Sequence, residues 1–245
     1  MRLLIVNGNR TESVTEHAVR VAQTAASPGT EVIGTTARFG AAYVRSRADE
    51  LIASHAVLDA LAQRLGSFDA AVLAISFDSG LFAARQLLPV PVVGMTEAAL
   101  FAACQLGERI GVITSGIETQ PLYLDLFRRY GIESRIAELR TLDTSHCGEP
   151  QQRPQLIELL REEAIALSCD PRIGCIVLAG AVHAGIAGLI APSITVPIVD
   201  CLQVAVAQAE LLVRLHPTGG RRTLARGLQM AGLSDELLRL FQQAT

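Results

Sequence analysis

The chain has 245 residues, with 21 Lys+Arg against 24 Asp+Glu; 50% of the residues are apolar and 18% are charged. This balance excludes a disordered chain, and a net charge of −3 gives no basic surface for a phosphate backbone, so we expect no nucleic-acid partner. All 21 basic residues are arginine, which excludes Schiff-base and P-loop chemistries that need a lysine amine.

Short β-branched runs alternate with longer helical patterns along the chain. The pattern predicts strands over residues 3–6, 31–35, 71–75, 90–94, 110–114, 175–179 and 195–199. It predicts helices over residues 15–26, 45–65, 97–106, 122–130 and 155–167. Such alternation indicates an α/β fold with parallel sheets flanked by helices, in which ligands bind at the carboxyl ends of the strands.

Cysteine usage and hydropathy bear on location. The apolar segment 173–199 is long enough to span a membrane, but its Gly, Ala and Pro content favours a strand, a helix and a second strand. The N-terminal apolar run is too short for a signal peptide. Five scattered cysteines, without a metal-ligand spacing, predict neither a disulfide framework nor a metal site. We therefore expect a cytoplasmic protein with no membrane partner.

Two stretches of the chain repeat each other. D-A-A-V-L-A-I-S-F-D-S-G-L at 69–81 precedes V-P-V-V-G at 90–94, and G-C-I-V-L-A-G-A-V-H-A-G-I at 174–186 precedes V-P-I-V-D at 196–200. The turn glycines are 105 residues apart. The repeat predicts two pseudo-symmetric lobes, over residues 1–104 and 105–214, that face each other across a cleft. In one arrangement the C-terminal helices within 215–245 pack back on the first lobe; the alternative to a true repeat is chance similarity between buried strands.

The repeated motifs also support a family assignment. V-N-G-N at 6–9 is similar to an N-P-N-[ST] motif, and D-S-G-L-F-A-A-R at 78–85 is similar to D-P-G-L-x-A-A-R. The order and spacing of these motifs resemble the aspartate/glutamate/hydantoin racemase superfamily, closest to its hydantoin and allantoin racemases. The resemblance implies a two-lobed, cofactor-independent enzyme that acts on a small molecule and assembles as a homo-oligomer.

The resemblance also implies a mechanism that this chain does not match. Family racemases use two cysteines, one from each lobe, to remove and deliver a proton on opposite faces of the substrate. Without a gap the first cysteine position falls on Ile75, with a one-residue gap it falls on Ser76, and the second falls on Gly180. Since none of these residues is a thiol, a different pair of groups must transfer the proton.

The repeat offset nominates that pair. His183 follows Asp78 by 105 residues, so the two side chains are predicted to face each other as acid and base, with Ser76 as a further catalytic candidate. The alternatives are a buried histidine held by a backbone carbonyl, and an aspartate that caps the helix starting near Gly80.

Polar residues at strand ends are the predicted substrate-binding groups. Their hydroxyls, amides and backbone N–H groups suit a carboxylate or a cyclic imide, although helix caps and turns are the alternative explanation. The predicted set is Asn7, Asn9, Ser79, Gly80, Thr114, Ser115, Gly180 and Ala181. His146 and Cys147 lie in a polar loop that could supply a thiol, and Cys201 follows the last predicted strand.

These observations predict a racemase-like isomerase that needs neither cofactor nor metal and acts at the acidic α-carbon of a small hydantoin, amino acid or carboxylate. Two alternatives stay open at this point. One is a decarboxylase-like lyase that passes through an enolate, and the other is a catalytically silent protein that binds a small anion.

Overall fold

A computed structural model describes residues 1–143, 153–215 and 230–243, and across these ranges eight strands form two four-stranded parallel sheets flanked by helices. The strands are β1 (Arg2–Asn7), β2 (Glu31–Thr36), β3 (Ala70–Leu73), β4 (Val92–Gly94), β5 (Ile110–Ser115), β6 (Ile136–Leu142), β7 (Cys175–Leu178) and β8 (Ile198–Asp200). The helices are α1 (Glu12–Ala25), α2 (Arg47–Gln63), α3 (Leu81–Leu87), α4 (Met95–Leu106), α5 (Gln120–Arg129), α6 (Arg153–Ser168), α7 (Ala187–Ile190), α8 (Cys201–Leu215) and α9 (Asp235–Gln243). The α/β prediction is confirmed.

The two sheets have the same topology. Their strand orders are β2-β1-β3-β4 and β6-β5-β7-β8, so each strand of the first sheet has a counterpart four strands later. This correspondence confirms the pseudo-symmetric architecture. The strand β6 was not predicted, because it lies at a sheet edge, is mostly half-buried, and carries Glu138 and Arg140 among its apolar residues.

Alternating side chains of each sheet enter different cores. In β1, Leu3 and Ile5 face a central core that also receives Val112 of β5, whereas Leu4 and Val6 face an outer core beneath α2 and α3. The second sheet has its own outer core against α6 and α7. Burial on both faces explains why the strands read as continuous apolar runs.

Helices α4 and α8 join the two halves of the molecule. Helix α4 follows the first sheet but contacts β7 and β8, and α8 follows the second sheet but contacts β3 and β4. The two helices also pack against each other in the central core. Helix α9 packs on α2, where Leu237 and Leu240 enter the outer core of the first sheet. The exact domain limits stay a prediction.

A line of ion pairs also links the two halves at the surface. Arg45 lies 3.3 Å from Glu118, Arg47 pairs with Asp125, and Glu50 lies 3.9 Å from Arg129. All these groups are at least partly exposed. Exposed pairs of this kind contribute about 0–1 kcal/mol each, so the link is weak.

Within the described ranges, none of the helices is both long and apolar enough to cross a membrane. The apolar segment 173–199 contains β7, the short helix α7 and the start of β8. Its hydrophobicity therefore reflects a buried parallel strand and the turn that follows it.

Two glycines bring the connection between the halves against β7. A Cβ atom at Gly107 would lie 2.5 Å from the carbonyl carbon of Gly174 and 2.8 Å from the backbone nitrogen of Cys175. We predict that Gly107→Ala lowers the free energy of unfolding by about 1–3 kcal/mol, because only backbone movement can relieve this contact. Urea denaturation measures the effect.

The matched control is Gly188→Ala in the exposed part of α7, where a Cβ atom has no neighbour within 4 Å. This variant should be as stable as the parent or more stable by up to about 1 kcal/mol. Equal stability of the two variants would show that the close approach at Gly107 does not constrain the fold.

Candidate active site

The candidate site lies where the carboxyl ends of the two sheets meet. Ser76 follows β3 of the first sheet, whereas Thr114 lies at the end of β5, next to its last residue Ser115, and Gly180 follows β7 of the second sheet. A Cβ atom built on Gly180 would lie 3.7 Å from Ser76 Oγ, 3.8 Å from His183 Nδ1 and 3.9 Å from Thr114 Oγ1. The space beside Gly180 is therefore bounded by three polar atoms drawn from both sheets, and we call it the Gly180 chamber.

Ser76, not Ile75, faces the chamber from the first sheet. Ile75 is buried in the outer core, and its Cδ1 lies 2.6 Å from where a Cβ atom at Gly8 would stand. Ser76 Oγ instead lies 3.7 Å from the Cβ position of Gly180, so this side chain points toward the second sheet. Ser76 thus stands opposite Gly180, and neither position offers a thiol.

His183 is buried against the chamber and is neutral at pH 7. Its exposed fraction is 1%, and burial lowers its pKa to about 4 against the opposing effect of the Ala179 carbonyl, with a smaller further lowering from the Arg153 charge. Its Nε2 lies 2.7 Å from Ser115 Oγ, while Nδ1 has no hydrogen-bond partner within the described ranges. With the proton on Nε2, the Nδ1 lone pair is free to accept a proton.

Asp78 caps a different helix from the one predicted. Its carboxylate accepts hydrogen bonds from the backbone N–H groups of Thr96 (3.1 Å) and Glu97 (2.8 Å), in the first turn of α4 rather than of α3. It also accepts a 2.7 Å hydrogen bond from the Tyr130 hydroxyl. Burial nevertheless raises the pKa of Asp78 to about 7. No hydrogen bond joins Asp78 to His183 in the described part of the chain, so the two occupy equivalent positions with separate partners.

The junction helix of the second half is also capped by a buried aspartate, but this aspartate lies at a different position in the chain. A Cβ atom at Gly94 would lie 2.4 Å from the Asp78 carboxyl carbon, so the carboxylate fills the space of a side chain at the end of β4. At the end of β8 the cap residue is Asp200 itself, which accepts hydrogen bonds from Leu202 N (3.0 Å) and Gln203 N (3.1 Å). Each junction helix therefore begins at a buried carboxylate.

Two tyrosines of α5 and its C-terminal end were missed by the sequence reasoning. Tyr123 is fully buried, accepts a 2.9 Å hydrogen bond from Thr114 Oγ1, and is also within hydrogen-bonding reach of Ser76. Burial raises the pKa of Tyr123, so its hydroxyl stays protonated. Tyr130 reaches Asp78 in the first half. Their spacing of seven residues on one helix face, in a chain with three tyrosines, was the available signal.

The two predicted asparagines organise the loop after β1. Asn7 Nδ2, with two protons to donate, lies within hydrogen-bonding distance of three acceptors: Asn9 Oδ1 (3.0 Å), the Thr11 carbonyl oxygen (3.1 Å) and Thr15 Oγ1 (3.1 Å). Asn7 Oδ1 accepts from Asn9 N (3.1 Å), and Asn9 Oδ1 accepts from Thr11 N (2.9 Å). The turn interpretation therefore accounts for most of the hydrogen-bonding capacity of Asn7.

The remaining predicted residues differ in their surroundings. Ser79 is fully buried, and its Oγ has no hydrogen-bond partner in the ranges described. Gly80 adopts a φ of 80°, which favours glycine, and Ala181 belongs to the central core. Cys201 is also buried there, and burial raises the pKa of its thiol, so it is a structural residue rather than a thiolate. His146 and Cys147 lie outside the described residues.

The geometry thus defines a class of protein: two similar parallel-sheet lobes that enclose a small polar site between their strand ends. A model of the Asp/Glu/hydantoin racemase family matches residues 3–209. A hydantoin racemase from Pseudomonas sp. (strain NS671) is 28% identical over 216 residues, which cover 88% of this chain and 87% of that protein.

Solved structures agree with this match. An allantoin racemase from Klebsiella pneumoniae is 29% identical with a TM-score of 0.88, and the match covers 97% of this chain and 98% of that one. An allantoin racemase from Pseudomonas fluorescens is 32% identical with a TM-score of 0.85, covering 95% and 100%. The chain belongs to the Asp/Glu/hydantoin racemase family, and its function is racemase-like, that of an isomerase.

The two buried titratable groups predict opposite pH dependences of stability. Asp78 has a raised pKa, so its contribution to the free energy of unfolding is present below pH 4 and is lost as the pH rises to about 7. His183 has a lowered pKa, so its contribution is present above pH 6.5 and is lost as the pH falls to about 4. Relative to the parent, Asp78→Asn should gain stability as the pH rises from 4 to 6.5, and His183→Gln should lose it.

Each change should be of the order of 3 kcal/mol, since one pKa unit is worth about 1.4 kcal/mol. Urea midpoints at half-unit pH steps measure it. His55→Gln, on an exposed part of α2, is the control and should follow the parent. Parallel curves for all four proteins would contradict the assignment of these two groups.

Proposed function

We propose that the chain exchanges and inverts the hydrogen on an acidic carbon beside a ring carbonyl, with 5-substituted hydantoins and allantoin as the substrate class. The hydantoin and allantoin racemases that match nearly the whole chain support this substrate class. The single observation that carries the proposal is the Gly180 chamber, in which the buried Nδ1 of His183 has no hydrogen-bond partner among the described residues.

His183 is the proposed proton acceptor on the second-lobe face. The substrate C–H bond breaks, the proton passes to the His183 side, and the electron pair moves onto the carbonyl oxygen as an enolate. Because its pKa is about 4, the ring is neutral near pH 7 and able to accept a proton. Its Nε2 contact with Ser115 sets the orientation of the ring.

Ser76 is the proposed proton donor on the opposite face. Its hydroxyl stands across the chamber from Gly180 and is within reach of the protonated Tyr123 hydroxyl. The Ser76 proton forms the new C–H bond, and exchange with solvent returns Ser76 and His183 to their starting states. Inversion thus needs both faces, whereas isotope exchange needs only the His183 face.

Asp78 and the strand-end residues have supporting roles in this proposal. That Asp78 acts as acid or base stays a prediction; its three donors support a role in holding α4 and Tyr130. The Ser79 hydroxyl, which has no partner in the part of the chain that the structure describes, is the strongest substrate-binding candidate. The other proposed substrate contacts are the residues that the sequence predicts: Asn7, Asn9, Gly80, Thr114, Ser115, Gly180 and Ala181.

Substrate entry requires the two halves to separate. A single carbon atom at the Cβ position of Gly180 would already be in van der Waals contact with Ser76 Oγ at 3.7 Å and with His183 Nδ1 at 3.8 Å, so this space has no room for a substrate ring. The exposed ion pairs of Arg45 and Arg47 are weak enough to break during such an opening. We therefore propose that substrate binds an opened form.

Three further features stay proposals. The proposed proton transfers use side chains alone, so we propose that the reaction needs no cofactor. A cytoplasmic location is supported by four cysteines that are free in the described ranges. Exposed apolar side chains, of which Leu51 is 75% exposed, are compatible with a homo-oligomer.

Proton NMR in D₂O at pH 7 tests the proposed function. Single enantiomers of 5-substituted hydantoins and of allantoin are followed for loss of the α-hydrogen signal, and chiral chromatography follows inversion. We expect catalysed exchange, with one enantiomer exchanging faster than it inverts. His183→Gln should lower the exchange rate roughly 100-fold, because general acid–base catalysis contributes about that factor or more.

The matched control is His55→Gln, which should retain the parent rate. Exchange no faster than in protein-free samples would reject the proposed function. Release of carbon dioxide from an arylmalonate in place of exchange would favour a lyase, and binding without any turnover would favour a silent binding protein.

A further inference from the structure

The Gly180 chamber has the composition of a water site. Buried spaces that hold water offer two to four polar partners, whereas apolar cavities of similar size stay dry. The chamber is bounded by Ser76 Oγ, Thr114 Oγ1 and His183 Nδ1, all 3.7–3.9 Å from the Cβ position of Gly180. A side chain at Gly180 would fill this space, and its φ of 115° disfavours one.

The hydrogen-bonding capacities of the three atoms are complementary to a single water molecule. Thr114 donates its proton to Tyr123, so its oxygen lone pairs are available to accept from a water. With the Nε2 proton shared with Ser115, His183 Nδ1 is a second acceptor. A water has two protons for these two atoms, and its oxygen can accept from Ser76.

The burial of His183 makes such a water useful for proton transfer. A buried polar atom without a partner is destabilising, and a bound water that supplies the hydrogen bond would offset this cost. His183 is 1% exposed, whereas Ser76 and Ser115 at the edge of the chamber are half-buried. A molecule that enters from the side of Ser76 and Ser115 therefore reaches the Gly180 chamber before it reaches the imidazole ring of His183.

We propose that one water molecule, held by Ser76, Thr114 and His183 in the free protein, stays with Thr114 and His183 when the halves open for substrate and carries the proton between the substrate carbon and His183. In the forward step the substrate C–H bond breaks and its proton joins the water oxygen, while a proton of that water passes to Nδ1. The electron pair stays on the substrate as the enolate. The catalytic part of this inference rests on the proposed function, but the water site does not.

A crystal structure of the free protein tests the site directly. We expect a density peak within hydrogen-bonding distance of all three atoms, and a well-resolved chamber without that peak would overturn the inference. Failure of the proposed function would instead appear as absent exchange in a protein that still shows the peak.

Variants of Thr114 and Tyr123 test the role of the water. Thr114→Val removes one partner of the water at nearly constant side-chain volume. Its crystal structure should lack the density peak, and its exchange rate should be at least tenfold lower than that of the parent. Tyr123→Phe removes the hydroxyl that Thr114 contacts but leaves Thr114 Oγ1 in place, so the density peak should remain. Because the Tyr123 hydroxyl is also within reach of Ser76, the exchange rate should fall, but less than in Thr114→Val. Thr114→Ser should restore both.

The control is Thr24→Val on α1, whose hydroxyl bonds only the Val21 carbonyl among the described residues and lies outside the site. It should match the parent. Equal losses of exchange in Thr114→Val and Tyr123→Phe, with the peak kept in both, would show that the Thr114–Tyr123 hydrogen bond matters and that the water does not.

Discussion

The carboxylate of Asp78 occupies the space that a side chain at Gly94 would otherwise fill, and the junction between the two sheets depends on this contact. From there it caps α4, the helix that packs against the second sheet, and it accepts the Tyr130 hydroxyl from the other half. One buried group thereby sets the direction of the junction helix and the approach of α5. This contact needs all three residues: Gly94 leaves the space, Asp78 fills it, and Tyr130 donates a hydrogen bond to the Asp78 carboxylate.

In the second half a different residue caps the junction helix, so the residue equivalent to Asp78 is available for another role. Since Asp200 supplies its own cap at the end of β8, the residue equivalent to Asp78 has no capping role there. That residue is His183, whose ring can turn toward Ser115 and the Gly180 chamber. The side chains thus differ where the backbone is pseudo-symmetric: Asp78 in the first half holds the junction, whereas His183 in the second half has a ring nitrogen with no partner within residues 1–143, 153–215 and 230–243.

Much of the fold was predictable because buried parallel strands have a strong apolar signal and because the two halves repeat. The edge strand β6 was not, since half-buried positions tolerate charge. In the site, the repeat offset correctly identified Asp78 and His183 as equivalent positions, but hydrogen-bond partners depend on side-chain direction, which spacing does not encode. Tyr123 of α5 and Tyr130 at its C-terminal end were missed for a related reason. The sequence of a helix does not indicate which residues of the other half its side chains will contact.

Ala179 and Ala181, on either side of Gly180, pack into the central core, whereas Ser76 borders the Gly180 chamber. Core packing therefore constrains the neighbours more than Ser76, while the φ of 115° at Gly180 favours glycine there. A lineage can change the reactive group at Ser76 without first rebuilding its architecture. The scaffold is in this sense separable from its reactive atoms, and such a family can diversify its chemistry through very few substitutions.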